Sequence, residues 1–352
     1  MSAAGSALPL VVFGARSYTA GELLRLAAGH PRLRPAVVVS QSAPGACLDE
    51  LQPHLAGFLP EVRSLDAAGA FAYLAERPDA AVALCVTSGE AAPLAARLDA
   101  EGLLEGRPLV DLTGDFRLDA AEYPRWYGWA HPAPALLERF DYCLPELHRE
   151  RCRSSLVSNP GCFATAVQLA CAPALRAGLV EPDLRVAAVT GSSGSGARER
   201  PTTHHPARAH DFYAYRPLVH QHTPEVRRGL GLAEEVALAL VVHSAPLVRG
   251  ISATAFFRLR AGTEPEDFAR AYREFAAGEP FLRYEERPPR LGGVVGTNQA
   301  RLAATARGRE AVAFCCIDNL CRGASGQALQ NLNRVLGLPE TLGLLAPGPF
   351  PV

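Results

Sequence analysis

The chain has 352 residues, nearly half of them hydrophobic and a fifth charged, with a formal net charge of -1. That balance is ordinary for a soluble globular protein and leaves room for two domains with their own cores. Near-neutral charge excludes a general nucleic-acid or membrane-surface binder, and no window approaches the roughly 18 uninterrupted apolar residues of a spanning helix. Residues 1–7 lack a basic start and an apolar core, so a frayed terminus is expected there, not a signal peptide. The nine cysteines are odd in number, and several sit inside apolar runs. Reduced thiols in a cytoplasmic protein fit this better than a disulfide framework. No pair has CxxC spacing, and Cys315 and Cys316, adjacent on a strand, point to opposite faces, so no metal site is expected.

In chain order, Leu10-Val11-Val12-Phe13 is a short apolar run ending at Gly14, followed by helical spacing through Leu23, Leu24, Ala27 and Ala28. Further runs cover Ala36 to Ser40, Ala81 to Val86 and Leu109 to Leu112. Apolar runs separated by helical patterns predict parallel strands covered on both faces. With the glycine turn after the first strand, they predict an α/β, doubly wound dinucleotide-binding domain over 1–157. The texture changes after about residue 180. Longer runs at Val186 to Thr190, Ala237 to Val242, Ile251 to Leu259 and Ala311 to Cys316, with a helix near Glu264 to Ala277, predict an α+β domain over 158–318. Residues 319–352 carry a last helix with Ala328, Leu329, Leu332, Val335 and Leu336 on one face, expected to return to the first domain.

The most informative stretch is Ser158-Asn159-Pro160-Gly161-Cys162-Phe163-Ala164-Thr165. Helical spacing starts at Phe163, and Asn159 or Ser158 can cap that helix, so Cys162 falls in its first turn. There the positive end of the helix dipole and free N–H groups favour thiolate, as a nucleophile requires; a small buried cysteine is the plain alternative. His220-Gln221-His222-Thr223-Pro224-Glu225 supplies its partner. His220 and His222 share a side of an extended segment, and Glu225 can fix a tautomer. Gly14 to Gly21 lies where a pyrophosphate would meet a helix N-terminus, although an ordinary strand–helix turn reads the same. Gly191-Ser192-Ser193-Gly194-Ser195-Gly196 either brings backbone N–H groups to a ligand or is a flexible surface loop. It does not spell the nucleophile elbow of serine hydrolases. Arg117, after the strand from Leu109, can clamp a carboxylate or phosphate, or can pair with Asp115 or Asp119.

With these motifs in this order the chain resembles the N-acetyl-γ-glutamyl-phosphate reductase family, within the group that includes aspartate-semialdehyde dehydrogenase. The resemblance runs nearly end to end. It rests on Gly14-Ala15 with Tyr18-Thr19, Asp111-Leu112 with Asp115 to Leu118, Leu144 to Leu147 and Ser158 to Thr165. It continues through Ser193 to Gly196, His220 to Glu225, Val248-Arg249-Gly250 and Ile317 to Leu320 with Gly323. It implies a Rossmann-type sheet plus a catalytic and dimerisation domain, and a place in arginine- or lysine-type amino-acid biosynthesis. It also implies that Cys162 captures an acyl phosphate as a thioester, reduced by NADPH to a semialdehyde, with His222 as acid/base and Glu225 orienting it. Arg117, His220, Arg249 and Asn159 are then expected to bind substrate. Gly14, Ala15, Arg16, Ser17, Tyr18, Thr19 and Ser40 would bind the cofactor, with Ser193, Gly194, Gly196 and Asn319 near its nicotinamide. A homodimer or homotetramer is expected.

The chain departs from the family at several points. Ser17 and Ala20 replace loop glycines, and Ser40-Gln41-Ser42 stands where an arginine usually meets the 2′-phosphate, so NAD is not excluded beside NADP. Thr87-Ser88-Gly89 replaces Pro-His-Gly, and Gln221 replaces the arginine between the histidines. Pro201 to Arg208 resembles the branch whose substrates ride on an acidic amino-group carrier protein. With Arg198, Arg200 and His210 it makes a basic segment that either docks such a carrier or is simply solvated. Two other readings remain: a cysteine hydrolase or amidotransferase using Cys162, His222 and Glu225, and a non-catalytic dinucleotide sensor.

Overall fold

The computed structural model describes residues 7–349, 351 and 352, so the expected frayed segment lies almost wholly outside the described residues. Two compact units emerge, one built from the chain through Asn159 with Ser325–Leu345, the other from Pro160–Ala324 with the residues from Ala346 on.

In the first unit the strands are β1 Leu8–Phe13, β2 Leu33–Val39, β3 Arg63–Leu65, β4 Ala81–Leu84, β5 Leu109–Asp111, β6 Asp141–Tyr142 and β7 Leu156–Ser158. They form one sheet in the order β3-β2-β1-β4-β5-β7-β6, with every pair parallel. Order reverses on either side of β1, which is the doubly wound arrangement and sets a crevice at the carboxyl ends of β1 and β4. The apolar runs are continuous because both faces are buried: Leu10, Val11, Val12, Ala81, Val82, Ala83 and Leu84 all have no exposure. Strands β3, β6 and β7 were not foreseen; each has only two or three residues, too few to show a period.

The second unit has β8 Asp183–Thr190, β9 Tyr213–Tyr215, β10 Ala237–Ser244, β11 Ile251–Arg258, β12 Leu282–Tyr284, β13 Ala300–Arg307 and β14 Glu310–Ile317. Their order is β12-β13-β14-β11-β8-β10-β9, mixed in direction. Leu184, Val186, Ala188 and Thr190 of β8 and Ile251, Ala253, Ala255 and Phe257 of β11 alternate inward, under the helices Cys162–Arg176 and Pro265–Ala276. The opposite face is open in the chain by itself, and Phe256 on it is 46% exposed.

Two local expectations are corrected. Cys143 and Cys152 form a disulfide, because the helix Pro145–His148 turns the chain back and brings their Cα atoms to 6.0 Å. The other seven cysteines are free thiols. The helix at Cys162 is capped by Gly161, with no side-chain cap bond, and not by Asn159 or Ser158. Asn159 instead closes the first unit, its Oδ1 accepting from Asn331 Nδ2 at 3.1 Å and Gln327 Nε2 at 3.3 Å.

Candidate active site

In the second unit Cys162 is the first residue of the helix Cys162–Arg176 and is partly exposed, whereas Phe163 to Ala174 are buried. The missing side-chain cap is supplied from a distance. Glu225, fully buried in the helix His222–Leu230, accepts a 2.6 Å hydrogen bond from Gly161 N–H. Its other oxygen lies 3.9 Å from His222 Nε2, an ion-pair distance and not a hydrogen bond. Glu225 therefore holds the cysteine turn directly and meets the histidine more loosely.

His220 and His222 are both buried, with ring centroids 4.8 Å apart, and each makes an edge contact with Phe163, the neighbour of Cys162. His220 Nδ1 accepts from His222 N–H at 3.1 Å, which assigns the ring proton to Nε2. Burial, then the neighbouring His222, pushes His220 down to about 2. A neutral His220 carries an N–H donor and no positive charge. Tyr215, on edge strand β9, packs its ring 5.8 Å from His220. Burial first, then Cys162, holds its hydroxyl well above the usual tyrosine range, so it stays a proton donor. Sequence reading missed it, since a three-residue strand gives no pattern.

The other half of this unit is a knot around β14. Asp318 Oδ2 pairs with Arg249 Nη2 at 2.8 Å, and Asn319 Oδ1 accepts from Gly250 N–H at 2.6 Å. Asn319 also hydrogen-bonds Ser193 Oγ, whose N–H reaches Val248 C=O at 3.0 Å. Asn319 thus ties the Ser193 loop to the Arg249 turn. Gly194 and Gly196 are exposed on that loop. Gly323 follows on a π-helical turn, and a Cβ there would fall 2.7 Å from Cys162 Cβ. Only glycine lets this turn lie against the cysteine, a contact no motif had flagged as functional.

In the first unit Gly14 ends β1 with φ +89°, and a Cβ on it would fall 2.4 Å from Cys85 C=O. The residues where glycines are usual do other work. Ser17 caps the helix Tyr18–Ala28 by accepting from Ala20 N–H at 3.1 Å. Gln52 Nε2 donates to the carbonyls of Ala15 at 2.8 Å and Ser17 at 3.1 Å, turning those oxygens away from the N–H groups a phosphate would meet. Arg16 is exposed, Tyr18 is 46% exposed, Thr19 Oγ1 lies by Ser17 Oγ, and Ser40 is buried beside Ser42. The cradle at Gly14, closed to any side chain, fits a dinucleotide pyrophosphate.

Arg117 is buried, with Nε donating to Asn159 C=O at 2.9 Å and Nη2 to Leu112 C=O at 3.0 Å. These bonds brace backbone. Asp115, the plain alternative partner for Arg117, accepts instead from Gly89 and Ala92 N–H groups at 2.6 and 2.9 Å, covering the start of the helix Ala91–Ala100. Asp111, with no exposure, has its carboxyl raised to about 7 by burial and then by Asp115. In the basic segment Arg198, Arg200, His204, His205 and His210 are exposed. Arg208 is not available with them: it is buried, bonded to Asp211 C=O, Ser244 Oγ and Ala245 C=O. Among the described residues no helix is long and apolar enough to cross a membrane.

Comparison with known proteins matches residues 10–155 to the semialdehyde dehydrogenase NAD-binding domain and residues 162–319 to the semialdehyde dehydrogenase dimerisation domain. An N-acetyl-gamma-glutamyl-phosphate reductase of Methanopyrus kandleri is 40% identical, covering 97% of this chain and 98% of its own. A protein of Thermomicrobium roseum named as a LysW-L-2-aminoadipate 6-phosphate reductase is 38% identical, covering 97% and 99%. The fold matches aspartate semialdehyde dehydrogenase II of Vibrio cholerae with TM-score 0.67 at 13% identity over 95% of this chain and 99% of that one. It also matches the Candida albicans enzyme solved with NADP, with TM-score 0.65 at 10% identity over 96% and 100%. The chain therefore belongs to the semialdehyde dehydrogenase family, as an oxidoreductase of the kind related to the N-acetyl-γ-glutamyl-phosphate reductases.

Proposed function

We propose that the protein uses NADPH to reduce an N-acylated γ-glutamyl phosphate, or a δ-aminoadipyl phosphate, to its semialdehyde through a thioester on Cys162. The observation that carries this reading is the partly exposed Cys162 at a helix start, with His220 and His222 both against its neighbour Phe163. The cysteine thiolate attacks the acyl carbon, the carbon–oxygen bond to phosphate breaks, and phosphate leaves with the electron pair. The reduced nicotinamide, when bound, supplies a hydride to the thioester carbon. His222 places a proton on the oxygen of the resulting adduct and takes it back as the carbon–sulfur bond breaks, freeing aldehyde and thiolate. Neutral His220 and protonated Tyr215 donate hydrogen bonds to that oxygen or its neighbours, and Arg249 meets the substrate's anionic end.

Residues 14–19 would cradle the pyrophosphate, with exposed Arg16 and the buried Ser40 the candidates for the 2′-phosphate of NADP. Ser193, Gly194 and Gly196 would approach the nicotinamide, with Asn319 holding their loop. The open face of the second sheet is suited to a second copy of the chain, in keeping with its match to a dimerisation domain. Exposed Arg198, Arg200, His204 and His205 are suited to an acidic carrier, in keeping with the LysW-linked relative.

The test is phosphate-dependent reduction of NADP, and separately of NAD, by N-acetylglutamate semialdehyde, with Cys162→Ser as control. Turnover lost in the control supports the reading and reports the cofactor. Cofactor binding without turnover moves the substrate to a carrier-linked aminoadipyl compound, and absence of cofactor binding overturns it.

A further inference from the structure

We infer that Asp318 is a positioning residue that sets the guanidinium of Arg249, and through it the affinity of the site for the substrate's anionic group. The inference rests on the reading of Arg249 given above. Asp318 follows β14 and has no exposure. Its carboxylate has four donors: Arg249 Nη2 at 2.8 Å and Gly296 N–H on Oδ2, Leu320 N–H at 2.8 Å and Cys321 N–H at 3.1 Å on Oδ1. Any rotation of the side chain breaks at least two of these bonds, so the carboxylate is a fixed point. A guanidinium is planar and rigid, and a charge-assisted bond to a fixed oxygen anchors the position of the end that carries it.

The backbone completes the clamp. Asn319 Oδ1 accepts from Gly250 N–H at 2.6 Å, so one dipeptide holds the Arg249 side chain and the chain beside it. Asp318 C=O accepts from Gly323 N–H at 2.8 Å, and Gly323 is the residue lying against Cys162 Cβ. The anion-binding arginine and the backing of the nucleophile are thus referenced to the same residue. Arg249 retains 23% side-chain exposure, which leaves it reachable from solvent.

Asp318→Asn keeps an oxygen for the two amides on Oδ1 but turns an NH2 group toward Arg249. The expected result is a rise of about tenfold in KM for semialdehyde or for phosphate, whichever Arg249 meets, with kcat within about threefold. Alkylation of Cys162 by iodoacetamide should stay at the wild-type rate, which a loosened fold would not allow. Arg249→Met/Asp318→Asn should match Arg249→Met alone in KM, because the effect of Asp318 on the bound anion runs through the arginine. Unchanged KM values in folded Asp318→Asn, or additive effects in the double variant, overturn the inference. Should Asp318→Asn fail to fold, the Arg249→Met pair carries the same comparison with both charges removed. If the wild type shows no turnover, the stabilisation of its melting temperature by inorganic phosphate reads the clamp instead. Stabilisation lost in both Asp318→Asn and Arg249→Met keeps the inference while the reaction falls, and equal stabilisation in all three proteins ends it.

Discussion

The two sheets treat their polar residues in opposite ways. The first is parallel and buried on both faces, so Arg117, Asp111, Asp115 and Gln52 are spent on backbone groups at its carboxyl edge. The second is mixed and covered by helices on one face only. There the helix starts carry Cys162 and His222, and the turn after β14 carries the Arg249 clamp. A sheet with both faces covered must satisfy its loops internally, and what results is a preformed cradle with few side chains left to react. The half-open domain can aim side chains instead. Polar side chains bonded to backbone in one unit and side chains left reachable in the other is the division this difference creates.

The largest effect expected is at Cys162. Cys162→Ser should lower turnover by about ten-thousandfold or more while dinucleotide binding, followed by fluorescence titration, is unchanged. If affinity falls as well, the two units do not divide labour as described. His222→Ala comes next, with kcat down by roughly 10²- to 10⁴-fold and the surviving activity losing one limb of its pH profile.

Arg117→Met probes the bracing side of the comparison. It should cost the folded state about 2–3 kcal/mol in denaturant melts, since two buried carbonyls lose a charged donor. Arg198→Ala, on the exposed basic segment, should stay within about 0.5 kcal/mol, so equal losses would erase the distinction. Gln52→Leu should weaken dinucleotide affinity about tenfold with kcat at saturation nearly unchanged, which separates cradle from chemistry.

The remaining effect concerns pH. Asp111 is raised to about 7 in the folded protein, above the ordinary carboxylate value of about 4 it has when unfolded. Between those values the folded state binds the extra proton, so its stability falls as pH rises from about 4 to about 7. Asp111→Asn should flatten that part of the stability profile, measured by melts across the range; an unaltered slope would assign it to other groups.

Much of this was legible along the chain. Gly14 after an apolar strand and Cys162 at a helical start are local patterns, and the structure finds each in a setting that matches, a closed turn and a helix N-terminus. The extended segment expected at His220–His222 is corrected: Gln221 is helical in conformation and His222 opens a helix, so the two rings come together through a turn and a shared contact with Phe163. Arg117 reads the same in sequence whether it faces a ligand or a carbonyl, and only its burial shows that it holds Leu112 and Asn159. Arg208 likewise looked like part of a basic surface until Ser244 and Ala245 were found around it. The Cys143–Cys152 bond depends on a turn too short to show a period.

The sequence by itself determined the alternation of elements, the covered parallel sheet, the family and the order of the reactive motifs, because periodicity and glycine or proline punctuation act within a few residues. Only the tertiary structure decided which partner each charge takes. Glu225 reaches Gly161 across 64 positions, and Asp318 reaches Arg249 across 69. Such pairings are set by how strands of distant sequence come to lie side by side, and a charged side chain carries no local mark of the partner that packing will give it.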